Sequence, residues 1–379
     1  MHSPPVPERQ RLASLQVFRA LAAIWVLLCH VYIIAEMDYG VPFENRFLIA
    51  GGEAALFFFV LSGFIIAYVH WEHLGAPGNV RPYLARRLSR IYPPVFILVT
   101  LKILYMLFSG GGEGRMVLSA KSVTASYLLL PSRFYVIAVL WTLVFEMTFY
   151  VLFAVAVALG KRVAVAGSVV WAALVLGRYL LGYPDEHETI VSTVTHPLCL
   201  LFLMGALSAR IFMNQKWMNV LGWLWIPGLA VLSICVWSPK TGFMTEASRG
   251  FLMYILWGVA SALIILSAVH SERKGVFRWP AWLQALGDAS YSIYLVHTSV
   301  MMVLVVILKR TGLPVQSWLF GTLVVIGLVS FVASVLFWKW VERPLMSWWN
   351  RRITPVLSGG RKLQTVNKNP VNAQPPVVP

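Results

Sequence analysis

Charged residues are scarce in this chain. Only 12% of its 379 residues are Asp, Glu, Lys or Arg, whereas 59% are hydrophobic, and the mean hydropathy is +0.73. A water-facing domain carries about 25% charged residues to keep its surface solvated. A soluble enzyme, a disordered chain and a fibre are therefore excluded at the outset. Acidic residues are scarcest of all, 15 against 31 basic ones, for a net charge of +16. Cysteine is almost missing. Cys29, Cys199 and Cys235 each lie in an apolar run without a CxxC, which argues against a disulfide framework and offers no metal site. No internal repeat of the kind found in many carriers is visible. The opening MHSPPVPERQR leads into an apolar stretch too long for a signal-peptide core, so a retained first helix is expected.

In place of charge there are long apolar runs. A helix needs about 20 mostly apolar residues to cross the hydrocarbon core, and ten stretches qualify: 14–35, 51–70, 92–109, 138–159, 163–181, 196–212, 220–237, 250–269, 290–309 and 318–341. The expectation is an all-α polytopic integral membrane protein of about ten transmembrane helices, with both termini cytoplasmic. Residues 1–353 form the membrane-embedded domain and 354–379 a disordered cytoplasmic tail. The positive-inside rule supports the count. Arg81, Arg86, Arg87, Arg90, Lys161, Arg162, Arg210, Arg273 and Lys274 all fall on one side, whereas Glu36, Asp38, Glu44, Glu53 and Asp185 fall on the other. Lys309 and Arg310 break the pattern. Because the basic residues are dispersed over several cytoplasmic segments, nucleic acid is excluded as a partner and membrane lipid is the expected surroundings.

Ionisable residues inside spans are expensive and call for a reason. They are Arg19, His30, Lys102, Glu146, Arg178 and His297; Glu342 and His196 lie near span ends, where water is close. Arg19 and His30 are eleven residues apart, which puts them on one helical face about 16 Å from each other. Glu146 falls at a depth similar to that of His30, where a carboxylate would raise the basicity of a histidine acting as general base; a structural pair between helices is the alternative. Arg87 and Arg90 share a face at the cytoplasmic end of the third span. They read either as a bidentate clamp for a phosphorylated ligand or as ordinary positive-inside charge. Ser62 and Gly63 lie at mid-membrane in FVLSGF, where a small-residue pair admits a slender ligand or, more simply, another helix. His297 suits a ligand contact or a packing hydrogen bond equally well. Cys29 points about 100° away from His30 and is rejected as a nucleophile.

Together these segments resemble acyltransferase family 3, the membrane-bound O-acyltransferases of bacterial surface glycans. The resemblance rests on Arg19 and His30 in FRALAAIWVLLCH, Ser62-Gly63 in FVLSGF, the Arg87-x-x-Arg90 pair, Trp141 and Glu146 in WTLVFE, and Tyr294 and His297 in SYSIYLVH. It implies a stand-alone enzyme of a bacterial inner membrane. Its donor would be acetyl-CoA or another acyl-CoA from the cytosol, with no permanently bound cofactor and no metal. Its acceptor would be a hydroxyl of a cell-surface glycan or glycolipid. His30 matches the family's catalytic histidine, Arg19 its partner, and Arg87 and Arg90 the basic pair linked to the donor. His30 would act as general base with Glu146 stabilising its imidazolium, or as a nucleophile forming an acyl-imidazole; the base role is favoured. Rival readings are a proton-coupled transporter, a non-catalytic assembly scaffold, and an acyltransferase acting on a small cytosolic glycoside. Oligomeric state is not legible.

Overall fold

The computed structural model describes residues 11–41, 45–108, 118–182, 187–214, 221–237, 246–311 and 315–357. Those residues are overwhelmingly helical, with no strand among them. The main helices are α1 (Ala13–Tyr39), α2 (Ala54–His70), α3 (Val80–Phe108), α4 (Leu140–Leu159), α5 (Lys161–Leu180), α6 (Cys199–Met213), α7 (Trp225–Trp237), α8 (Glu246–Arg273), α9 (Ala281–Thr311) and α10 (Leu319–Phe337). Among the described residues nine helical segments are long and apolar enough to cross a membrane, and the chain is an all-α multi-pass membrane protein.

The span expected at 220–237 is a correction. Helix α7 has only 13 residues, about 20 Å of rise against a hydrocarbon core of about 30 Å. Pro227 explains the late start, because a proline is accepted in the first turn but costs a backbone hydrogen bond deeper in a helix. Conversely, the third span is longer than the apolar run alone indicated. Helix α3 has 29 residues and begins at Val80, so the arginine-rich segment and the apolar segment form one helix. The tail expected from 354 begins with a helical turn, Thr354–Leu357, whose Thr354 is buried; the remainder, 358–379, lies outside the described residues.

Helix α2 sits at the centre. It packs against α6, α1 and α8, and residues from its whole circumference are buried: Leu56, Phe59, Val60, Leu61, Phe64 and Ile66. By contrast, α5 buries only Trp171 and Val175 and turns the rest outward. The α2–α6 contact is made backbone to backbone. A Cβ on Gly63 would collide with the Phe202 carbonyl, and one on Gly205 with the Val60 carbonyl. This reciprocal small-residue contact is how membrane helices approach closely without a hydrophobic driving force. It also decides between the two readings of Gly63: the glycine seats a helix, not a ligand.

Helix α1 packs along α9 in the same way. Ala20, Ala23 and Ala289 are fully buried, and Gly287 lies against the Gln16 backbone. The Glu272 carboxylate caps the start of α1, accepting from the Ala13 amide at 2.6 Å and the Ser14 amide at 2.7 Å. A negative charge there satisfies orphan amides and suits the positive helix end. Lys309, the break in the charge pattern, is paired with Asp38 at 2.9 Å.

The glycine contact yields a prediction. Gly63→Leu is expected to destabilise the protein by more than the ~1–3 kcal/mol typical of overpacking, because rigid backbone occupies the space. Gly167→Ala, where an added Cβ meets nothing within 4 Å, is the control. Thermal unfolding of the two variants in detergent checks this; equal melting temperatures would refute the locked interface.

Candidate active site

Helices α1, α2, α3, α4 and α9 line a partly open cavity of about 70 Å³. Its polar wall comprises Arg19, Ser62, Arg87, Arg90, Thr142, Glu146, Tyr150, Ser290, Tyr291 and Tyr294, and Phe58, Phe59 and Ile65 are among its apolar residues. The helices explain the convergence. Arg87 and Arg90, three apart on α3, share a face. Glu146 and Tyr150 are one turn apart on α4, and Ser290, Tyr291 and Tyr294 fall within one turn of α9. Pro93 and Pro94 sit inside α3 just beyond the arginines. They remove amide donors that the Ser89 and Arg90 carbonyls would otherwise meet. The Tyr291 hydroxyl ties this stretch to α9, donating to the Ile91 carbonyl at 3.0 Å.

The cavity's charges are unequally matched. Among the described residues no carboxylate comes within ion-pair distance of Arg19, Arg87 or Arg90. Glu146 lies in the same wall, accepting from Ser62 Oγ at 3.0 Å and from the Tyr150 hydroxyl. Glu342, set aside from sequence because it sits near a span end, is 3% exposed. It lies in a π-helical stretch, Trp338–Glu342, accepts from Ser292 Oγ, and is within electrostatic reach of Arg19 and Arg90. Such π-helical insertions recur at functional sites. Arg87 is held by donation to His70 Nε2 at 3.3 Å and by the rings of Tyr83 and Tyr150, 5.9 and 5.6 Å from its guanidinium carbon. Its Nε, buried, has no partner among the described residues.

His30 does not meet Glu146, and this expectation is corrected. Its neighbour is His297, whose Nε2 lies 3.3 Å from His30 Nδ1, with ring centroids 4.8 Å apart. Depth alone misled, since two residues can share a level yet face different helices. Each Nδ1 also sits against the carbonyl one turn back, His30 on Val26 at 2.9 Å and His297 on Ile293 at 2.8 Å. A carbonyl only accepts, so both Nδ1 atoms carry protons. His297 Nε2 then offers its lone pair to the His30 Nδ1–H, which is shared with the Val26 carbonyl. His30 Nε2 is left with a lone pair and no hydrogen-bond partner among the described residues, the state a general base requires.

The remaining candidates divide. Tyr294 both lines the cavity and approaches His297, ring centroids 6.2 Å apart, and its hydroxyl meets Thr142 Oγ1 at 3.0 Å. Trp141 and Gly63 are not in the cavity wall. Trp141 packs edge-on against Phe59 and Phe145 and tilted against His187, in a cluster whose two phenylalanines are buried. Tyr150, Tyr291, Ser290 and Glu342 escaped the sequence reading. The first three were within reach of it, at i+4 from Glu146 and at i−3 and i−4 from Tyr294.

The arrangement presents a cavity with a basic wall and, beyond it, a histidine pair with one ring nitrogen's lone pair unused among the described residues. The chain belongs to acyltransferase family 3, whose acyltransferase-domain model matches residues 12–339. It is an acyltransferase by family. The exopolysaccharide production protein ExoZ of Rhizobium meliloti is 27% identical over 313 residues, covering 80% of this chain and 92% of that protein. Nodulation protein 10 of Rhizobium leguminosarum bv. viciae is 25% identical over 374 residues, covering 88% and 93%. No solved structure matches the chain.

If His297 orients His30, then His297→Phe, which keeps a ring but loses the acceptor nitrogen, lowers acyl transfer by about 10²-fold, the scale of a misplaced catalytic group. A rate equal to wild type, at equal protein level, would dismiss the orienting role.

Proposed function

We propose that this membrane protein transfers an acyl group, acetyl in the simplest case, from cytosolic acyl-CoA to a glycan hydroxyl presented from the opposite side of a bacterial inner membrane. The observation that carries the donor half is the cavity whose wall holds Arg19, Arg87 and Arg90 without ion-pair partners among the described residues. A guanidinium cluster facing a cavity suits a polyanionic ligand, and its planar donors match phosphate oxygens. The pyrophosphate and ribose phosphate of coenzyme A would dock at Arg87 and Arg90. The pantetheine arm would follow the cavity past Arg19 and Ser62 towards Tyr294. Its thioester would then lie near His30, about 16 Å along α1 from Arg19. The arginine-rich ends face the cytosol in this reading, with both termini on that side, in keeping with the charge bias of the loops.

The acceptor half draws on the relative named for exopolysaccharide production and on the site's chemistry. A sugar hydroxyl is a weak nucleophile and needs its proton removed as it attacks. His30 Nε2 takes that proton; the hydroxyl oxygen bonds to the thioester carbonyl carbon. The tetrahedral intermediate then collapses with cleavage of the C–S bond. The thiolate leaves and recovers the proton from His30 Nε2–H. During this cycle the imidazolium is stabilised by two acceptors on its Nδ1 side, the Val26 carbonyl and His297 Nε2. No covalent acyl-histidine is required.

Two outcomes are expected. With purified protein in vesicles, labelled acetyl-CoA and a surface-glycan extract, His30→Ala loses about 10²- to 10⁴-fold in transfer while still binding coenzyme A. Transfer at the wild-type rate would end the base assignment, and an acetyl mass adduct on wild type without acceptor would favour the two-step route. Separately, Arg90→Gln raises the donor KM by about tenfold or more, the loss of one charge-assisted hydrogen bond, with kcat little altered. An unchanged KM would remove Arg90 from the donor site.

A further inference from the structure

We infer that His70 is a positioning residue that holds Arg87 in the orientation required to receive the donor's phosphates. The inference rests on the acyl-CoA reading above and extends it to a residue outside the cavity wall.

His70 is the last residue of α2 and is 3% exposed. Three independent contacts define it. Its Nε2 lies 3.3 Å from Arg87 Nη2. Its Nδ1 lies 3.1 Å from His73 Nδ1. Its ring meets Tyr83 edge-on, centroids 5.0 Å apart. A guanidinium can only donate, so His70 Nε2 presents a lone pair and the ring is neutral, with its proton on Nδ1. That proton goes to His73 Nδ1, which therefore accepts. The donor-only chemistry of one arginine thus fixes the tautomers of two histidines in sequence.

The consequence falls on Arg87. Tyr83 and Tyr150 bracket its guanidinium from the sides, but neither ring fixes rotation about the Cζ axis. The bond to His70 does. It commits one Nη2 proton to His70 and leaves the other donors available to the cavity, whose wall Arg87 shares. An arginine that grips phosphate bidentately must be held in rotation as well as position. Without the acceptor, Arg87 Nη2 would be free to swing to the Glu146 carboxylate, which lies in the same wall and would compete with the ligand's phosphates.

The test uses full-length protein in detergent, with coenzyme A itself as ligand, measured by isothermal titration. His70→Phe keeps the ring and its packing but has no acceptor. It is expected to weaken binding about tenfold, the scale of one hydrogen bond to a charged group, and to match Arg87→Gln. His70→Gln, whose side-chain oxygen reaches the place of Nε2, is expected to return to within about threefold of wild type. His73→Ala, which frees the tautomer, shifts binding in the same direction by less. In acyl transfer His70→Phe raises the donor KM and leaves kcat within about twofold, a split that a general loss of structure would not give. Wild-type affinity in His70→Phe, or equal loss in His70→Phe and His70→Gln, overturns the positioning role. Failure of the wild type itself to bind coenzyme A removes the donor reading, and the inference goes with it.

Discussion

The lipid interior accepts a charge only if something answers it, and this protein carries three guanidinium groups, Arg19, Arg87 and Arg90, in the wall of one cavity. A single arginine at the centre of a transmembrane helix costs at least about 2.5–3.5 kcal/mol on insertion scales. Two carboxylates, Glu146 and Glu342, lie near enough to act on the cluster. Each, however, is engaged by hydroxyls, Glu146 by Ser62 and Tyr150, Glu342 by Ser292. Three cations against two anions leaves the cavity with a surplus of positive charge and room for a ligand that supplies the balance. The five helices around the cavity answer that surplus by turning their few polar residues to a common space.

In the proposed reaction the chemistry is kept at a distance from this charge. His30 lies about three turns along α1 from Arg19, beyond the cavity wall and paired with a neutral imidazole. The replacement of the expected carboxylate by His297 has a physical logic. A buried carboxylate against His30 would favour the protonated form of the ring before any substrate arrived. A base that starts protonated cannot accept a proton. A neutral partner with a lone pair stabilises the imidazolium once it forms without creating it in advance. Tyr294, in contact with both the cavity and His297, marks the junction where thioester and base would meet.

The helices were legible because length and hydropathy are local properties. That Arg87 and Arg90 share one face of α3 followed from their spacing on a single helix; that Arg19 of α1 joins them in one cavity wall did not. What failed was everything that depends on rotation between helices. Glu146 and His30 have comparable depth, but Glu146 turns to Ser62 and Tyr150, and His30 turns to His297. Gly63 belongs to a packing contact with Phe202 that no single-helix pattern encodes. Helix α7 fell short because one proline governs where it begins. Glu342 and His70 were hidden differently: each sits at the end of an apolar run, where a polar residue ordinarily needs no explanation, and only burial reveals that each faces inward.

Helix α2 binds these parts into one frame. Its Ser62 reaches Glu146, and its His70, about 12 Å further along, reaches Arg87. The same helix is pinned to α6 at Gly63 and Gly205 by backbone contact, which permits no sliding without collision. A site built on a rigid, packed element holds its geometry better than one on loops. Because Arg87, through His70, and Glu146, through Ser62, are both referred to α2, their separation is set by a fixed helical rise and not by the flexibility of long side chains. The small-residue contact on the far side of α2 is therefore part of the site's precision, although neither glycine touches the cavity.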